Sequence, residues 1–181
     1  MKALAPGFLI AMPQLQDSNF HKSVVLMVEH GPHGSMGLVI NREADVTYAD
    51  LANDQDFDVP PTRAGKHISV GGPVEPYRGF VLHDSTRVTE RAEVLPGLFL
   101  SVTSDSLAPL LADPEVNVRF CLGYSGWGAG QIEAELAIGS WLFTEASAKT
   151  VLHVEPGQIW EQTIKSMGVD PAMLVTTGGM N

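Results

Sequence analysis

Ser23-Val24-Val25-Leu26-Met27-Val28-Glu29-His30-Gly31-Pro32-His33-Gly34-Ser35-Met36-Gly37-Leu38-Val39-Ile40-Asn41 reads as strand, polar break, strand. The apolar runs Val24 to Val28 and Gly37 to Ile40 are short and mostly β-branched or aliphatic, and the break from His30 to Ser35 holds the glycines and proline of a chain reversal. A connection of this length joins antiparallel neighbours. Both runs are almost continuously hydrophobic, as strands are when both faces are covered.

Working outward, further strand-like runs fall at Phe8 to Met12, Ile68 to Gly71, Gly79 to His83, Leu98 to Thr103 and Val118 to Tyr124, most of them bounded by Gly, Pro or Asn. Helical signals are fewer. Thr47 with Asp50 forms a capping-box variant that opens a helix through Leu51. Ser104 or Asp105 caps Leu107 to Ala112, with Leu107, Leu110 and Leu111 on one face and Asp113-Pro114 as the stop. Pro156 opens the strongest helix, whose core face carries Ile159, Trp160, Thr163, Ile164 and Met167 before Gly168 ends it. Hairpin-like pairs with helices inserted late, rather than strict β-α-β alternation, favour an α+β fold with a mixed or antiparallel sheet. A chain of 181 residues without repeat or linker is read as one domain, 1–181, with a frayed tail from Thr176 to Asn181.

Eleven Lys+Arg against 21 Asp+Glu give a net charge of −10, which opposes approach to phosphate backbones and anionic membranes. Neither nucleic acid nor a membrane is therefore an expected partner. Residues 43 to 58 hold six acids and no base, which reads as a solvated helix and loop. The lone cysteine, Cys121, sits in Val-Arg-Phe-Cys-Leu-Gly like a buried strand residue and makes no internal disulfide, in keeping with a reducing, cytoplasmic setting. The apolar start is broken by Pro6 and Gly7 and closed by Pro13 without a cleavage site, so Phe8 to Met12 is read as a strand rather than a leader. No apolar stretch approaches the roughly 20 residues that span a bilayer.

The densest candidate for function is Gly123-Tyr124-Ser125-Gly126-Trp127-Gly128-Ala129-Gly130-Gln131, read as a turn between the Val118 strand and a helix from Gln131 to Ile138. Its spacing fits neither a Walker loop nor a dinucleotide fingerprint, and no cofactor is expected. Trp127 in the fifth position also excludes a Gly-x-Ser-x-Gly elbow. What it offers is backbone amides at a helix start, able to hold a small anion, with Ser125, Gly126, Trp127, Gly128, Gln131 and Glu133 facing the turn. Glu133 and Glu135 stand two apart and point to different faces, so they are not a paired-carboxylate site, and surface solvation accounts for Glu135. Gly71 and Gly72 end a strand and permit close backbone approach, and His83 reads either as a pocket residue or as a satisfied strand end. Six histidines invite a metal, but Gly31-Pro32 forbids the helical spacing of a zincin site between His30 and His33, and no metal is expected. A hydrolase using Ser125 with His83 or His30 as base stands as an alternative.

Pro6-Gly7-Phe8-Leu9-Ile10-Ala11-Met12-Pro13, Asp17-Ser18-Asn19-Phe20, Val24 to His30, Gly37 to Arg42, Gly71-Gly72-Pro73-Val74 and Gly123 to Glu133, in that order, resemble the signatures of the YqgE/AlgH family from about Leu4 to Leu174. The resemblance implies an α+β fold with a bifurcated sheet, a small barrel-like part and flanking helices. It supplies no catalytic residue. Members are often labelled transcriptional regulators, whereas the charge and the lack of a helix-turn-helix pattern argue against direct DNA binding. A partner protein or a small anionic ligand is the expected route, with direct DNA binding as the further alternative.

Overall fold

A computed structural model of the chain describes residues 3–15 and 17–174, so the expected frayed tail lies outside the described residues. Among the described residues, ten strands form one sheet: β1 (Gly7–Ala11), β2 (Val24–Gly31), β3 (Gly34–Val39), β4 (Glu43–Thr47), β5 (His67–Val70), β6 (Val74–His83), β7 (Ala92–Leu95), β8 (Leu98–Ser101), β9 (Val118–Gly128) and β10 (Trp141–Thr144). Their order is β10-β1-β2-β3-β9-β6-β8-β7, with β5 joined to both β4 and β9. The helices are α1 (Tyr48–Gln55), α2 (Pro61–Ala64), α3 (Ser104–Leu111), α4 (Gln131–Ala137), α5 (Ala148–His153) and α6 (Pro156–Ser166), followed by a helical turn at 171–174. The fold is mixed α+β, with a curled, mostly antiparallel sheet that closes half a barrel.

The β2–β3 hairpin forms as its sequence dictates, turning on Pro32 and His33 so that Gly31 faces Gly34 and His30 faces Ser35. Side chains alternate into two layers. Phe8, Ile10, Val24, Leu26, Leu38 and Ile40 point to a core shared with Ile159, Trp160 and Ile164 of α6. Leu9, Ala11, Val25, Met27 and Val39 point the other way, onto Trp127, Trp141 and Ile132 of α4. This is why both runs are apolar without interruption. A third cluster, Tyr48, Ile68, Val81, Leu110, Leu111 and Phe120, packs α1 and α3 on the far half of the sheet.

The sheet forks along β9. Its residues Ser125 to Gly128 pair antiparallel with β3, while Cys121 and Leu122 pair in parallel with β5 and Val118 to Leu122 pair antiparallel with β6. Gly71 stitches the fork: its N–H donates to the Leu122 carbonyl (2.7 Å), and its carbonyl accepts from Val39 N (2.8 Å) and Ser125 Oγ (3.1 Å). A Cβ on Gly72 would overlap the Tyr124 carbonyl, and Gly123 takes a φ of +73°, so both positions need glycine for packing.

Three sequence expectations change. The strand expected to stop at Tyr124 continues to Gly128, and the expected long turn shrinks to Ala129-Gly130. The cap of α3 is Thr103, with Ser104 and Asp105 inside the helix, and Glu90 reaches in from outside to accept from the Thr103 amide and the Ser106 hydroxyl. The acidic stretch 43 to 58 is not only solvated surface: it contains β4, and Tyr48 and Ala52 of α1 are buried. Its capping box forms as expected, with Thr47 Oγ1 accepting from Asp50 N (3.1 Å) and Asp50 Oδ2 from Thr47 N (3.0 Å). The Pro156 helix also forms as expected, and Gly168 ends it at a φ of +78°.

Candidate functional site

The end of β9, the β2–β3 hairpin and α4 form one packed unit. Strand alternation buries Ser125 and Trp127 and exposes Gly126 and Gly128. Trp127 is 6% exposed and stacks on Phe20, with Trp141 edge-on. Both indoles donate to one oxygen, Glu135 Oε1, at 3.3 Å from Trp127 and 2.9 Å from Trp141, while Gln131 Nε2 donates to Glu135 Oε2 at 2.8 Å. Gln131 Oε1 in turn accepts the Gly128 N–H at 2.9 Å. Glu135, expected to be a solvated carboxylate, is thus the acceptor that fixes both tryptophans. The signal was Gln131 at i and Glu135 at i+4 beside an indole in need of an acceptor.

Glu133 points elsewhere, as its two-residue offset from Glu135 requires. Its Oε2 lies 3.8 Å from His30 Nε2, which is buried without a hydrogen-bond partner, and His30 Nδ1 meets Ser35 Oγ at 2.6 Å. The His30 side chain is 3% exposed. Counting outward from the Pro32-His33 turn would have placed His30 opposite Ser35. The alternative pairing of Ser125 with His83 or His30 is not formed. Ser125 is fully buried and donates to the Gly71 carbonyl at 3.1 Å.

The expected residues therefore divide among four places. Gly71, Gly72 and Ser125 hold the fork together. Trp127, Gly128, Gln131 and Glu133 lie at the α4 unit, and Gly126 lines a cleft on the sheet's inner side. His83 is remote from all of these, paired with Val118 at the other end of β9. Its Nδ1 accepts from Ser85 N (3.1 Å) and its Nε2–H donates to Ser101 Oγ (2.8 Å), so both nitrogens are satisfied. Burial pulls its pKa below the ordinary histidine value, against the opposing carboxylates of Asp84 and Glu90. Cys121, fully buried, has its thiol pushed up to about 12 by burial. Among the described residues no group of three or more His, Cys, Asp or Glu is placed to hold a metal ion, and no helix is long and apolar enough to cross a membrane.

Three of the concavities on the described surface are lined as follows. The cleft, about 970 Å³, lies in the mouth of the half-barrel, between the hairpin and β7, and is lined by Val28, Met36, Phe80, Val94, Leu100 and Tyr124 with Glu29, Arg78 and Glu93 at polar positions. Along β6, Arg78 and Phe80 face this cleft, whereas Tyr77, Gly79 and Val81 face a groove of about 480 Å³ on the opposite side, between α1 and α3. Tyr77 is 94% exposed. The third is a polar cleft of about 380 Å³ between α2, β5, β9 and the α5–α6 junction.

Residues 8–172 match the model of a family described as AlgH-like. A UPF0301 protein of Myxococcus xanthus is 60% identical over the whole of both chains. Another, of Alcanivorax borkumensis, is 38% identical over 94% of this chain and 93% of its own. Among solved structures, the solution structure of the AlgH protein from Pseudomonas aeruginosa matches with a TM-score of 0.74, 37% identity and 97% of each chain covered. A crystal structure of a protein from Corynebacterium diphtheriae, at 19% identity, shares the fold with a TM-score of 0.71 over 92% of this chain and 88% of that one.

Proposed function

Since this chain belongs to the AlgH-like family, we propose that it is a cytoplasmic, non-enzymatic binding protein that acts through a protein partner received at the mouth of its half-barrel. The observation that carries this reading is the free edge of β7. This strand ends the sheet path, pairs with β8 alone among the described residues, and borders the cleft of about 970 Å³. An extended segment added along such an edge gains main-chain hydrogen bonds, and Val94, Leu100 and Met36 offer apolar contacts for its alternate side chains. A regulator of this kind would work without touching DNA. The net charge of −10 opposes it, and α6, which follows α5 after two residues, presents Gln158, Glu161, Gln162 and Lys165 to solvent rather than a basic face.

A small anion at the Gly123 to Gln131 segment finds less support. The Gly128 amide is taken by Gln131, and α4 is only seven residues long. Affinity purification from the native cell with wild type, Val94→Arg and Tyr77→Arg tests the partner reading. Val94→Arg should lose a partner that Tyr77→Arg, altered on the opposite face, retains. Recovery of the same proteins with all three chains would sink the proposal.

A further inference from the structure

We propose that the polar cleft between α2, β5, β9 and the α5–α6 junction binds a small phosphate-bearing anion, gripped by Arg63, Lys66 and Arg119. The cleft is independent of the half-barrel mouth, and the proposal does not rest on a protein partner. In a chain with 21 acids and 11 bases, cations are expected to sit beside carboxylates. Here Arg63 of α2, Lys66 of the α2–β5 connection and Arg119 of β9 converge, with His67 and His153 beside them, and none of the three cations is ion-paired with a carboxylate among the described residues.

The two arginines are pre-positioned by carbonyls instead. Arg63 donates to the carbonyls of Leu111, Asp113 and Val116 around the end of α3, and Arg119, 9% exposed, donates to those of Val151 (2.7 Å) and Val154 (3.1 Å) around the end of α5. Neutral carbonyls fix the guanidinium planes, and although the Asp113 carboxylate acts on Arg63 from a distance, neither arginine forms an ion pair with a carboxylate among the described residues. Each fork keeps N–H groups beyond those the carbonyls use, and planar forks match phosphate oxygens. Lys66 is exposed at the rim as a third cation.

One more feature points the same way. Helix α6, eleven residues long, begins at Pro156 on the wall of this cleft; Pro156 carries no N–H and the Gln158 amide donates to the Glu155 carbonyl, so what this end offers, without a side-chain cap from Glu155, is the Gly157 amide and the positive dipole end. Glu43 and Glu155 also line the cleft. With a volume of about 380 Å³, they limit the ligand to a compact phosphate monoester and disfavour a long polyanion.

The test is an amide NMR titration of the full chain with inorganic phosphate and, separately, glycerol 3-phosphate, with sodium chloride at matched ionic strength as control. Both phosphates should shift amides near Lys66, His67, Arg119 and Gly157, saturably, with tighter binding for the monoester. Lys66→Glu, a rim change whose side chain carries no hydrogen bond among the described residues, should weaken binding about ten-fold with the melting temperature unchanged. His153→Glu, also exposed, is the second variant and should act in the same direction. Shifts that chloride reproduces, shifts centred elsewhere, or equal affinity in the wild type and a folded variant would each overturn the assignment.

Discussion

Replacing Glu135 by Ala removes the acceptor shared by Trp127 and Trp141. Trp141 is 2% exposed and its indole N–H sits 2.9 Å from Glu135 Oε1, so water has little access to replace the lost bond. A hydrogen bond to a charged acceptor contributes about 1.5–3 kcal/mol, and leaving a buried donor unmet costs a similar amount. The Trp127 contact is longer, at 3.3 Å, and the Gln131 contact is exposed, so each adds less. A total near 2–3 kcal/mol is expected, and for a chain of this length it corresponds to a fall in melting temperature of about 4–12 °C. Thermal unfolding followed by circular dichroism reads the shift, and tryptophan emission should move to longer wavelength as the indoles gain water. Glu161→Ala on the exposed face of α6, where the side chain carries no hydrogen bond or ion pair among the described residues, is the control and should change stability by less than about 0.5 kcal/mol, as surface substitutions do. If Glu135→Ala melts within that same margin, the carboxylate is a solvated surface group and the account of the α4 unit fails.

Three further outcomes follow from the geometry. Glu90 accepts from the amides of Val102 and Thr103 and the hydroxyls of Thr103 and Ser106; desolvation works the other way, but these bonds hold its pKa below the ordinary 4.5. A depressed carboxylate stabilises the fold above its unfolded pKa and loses that contribution as pH falls through the folded value, so Glu90→Gln should be less stable than wild type at neutral pH, with the gap closing in acid denaturation scans below about pH 4. Cys121, buried and with its thiol pushed up to about 12, should resist iodoacetamide at pH 8 in the native state and react on unfolding; rapid native labelling would contradict the burial. Gly72→Val should destabilise by more than about 3 kcal/mol or prevent folding, measured by urea titration, because its Cβ has the Tyr124 backbone, not a flexible side chain, in its way.

Much of the fold was legible because local chemistry and packing agree. The Val24–Ile40 hairpin, the Thr47 capping box and the Pro156 helix all carry their own start and stop residues. The short strands β4, β7 and β10 do not. Glu43, Asp45 and Glu93 are solvent-side residues of strands held by backbone ladders, and ladder partners leave no mark in the strand's own side chains. The glycine-rich segment misled in the opposite direction. Glycine suggested a turn, although the alternation of Ser125 and Trp127 with Gly126 and Gly128 was already that of a strand with one covered face. Of the candidate site, His30 beside Glu133 and the Glu135 hub depended on register and on helix offset, both countable once the hairpin turn and the start of α4 are placed. The cationic cleft depended on Arg63 and Arg119 meeting across 56 residues of sequence, which only the tertiary fold brings about.

The forked strand sets a rule for sequence length. Because β9 serves β5 and β6 with its first half and β3 with its second, one residue inserted near Gly123 would reverse the second half, turning Ser125 and Trp127 toward solvent while the first half kept its place. Its partner β6 has no such restriction: the ladder jumps from Val74 to Gly79 there, and the intervening residues already bulge outward. Insertions and deletions should therefore be tolerated in the Glu75 to Arg78 bulge and rejected between Val118 and Gly128. A tag or reporter peptide placed at Tyr77 should leave the fold intact, and the same peptide placed at Gly126 should not.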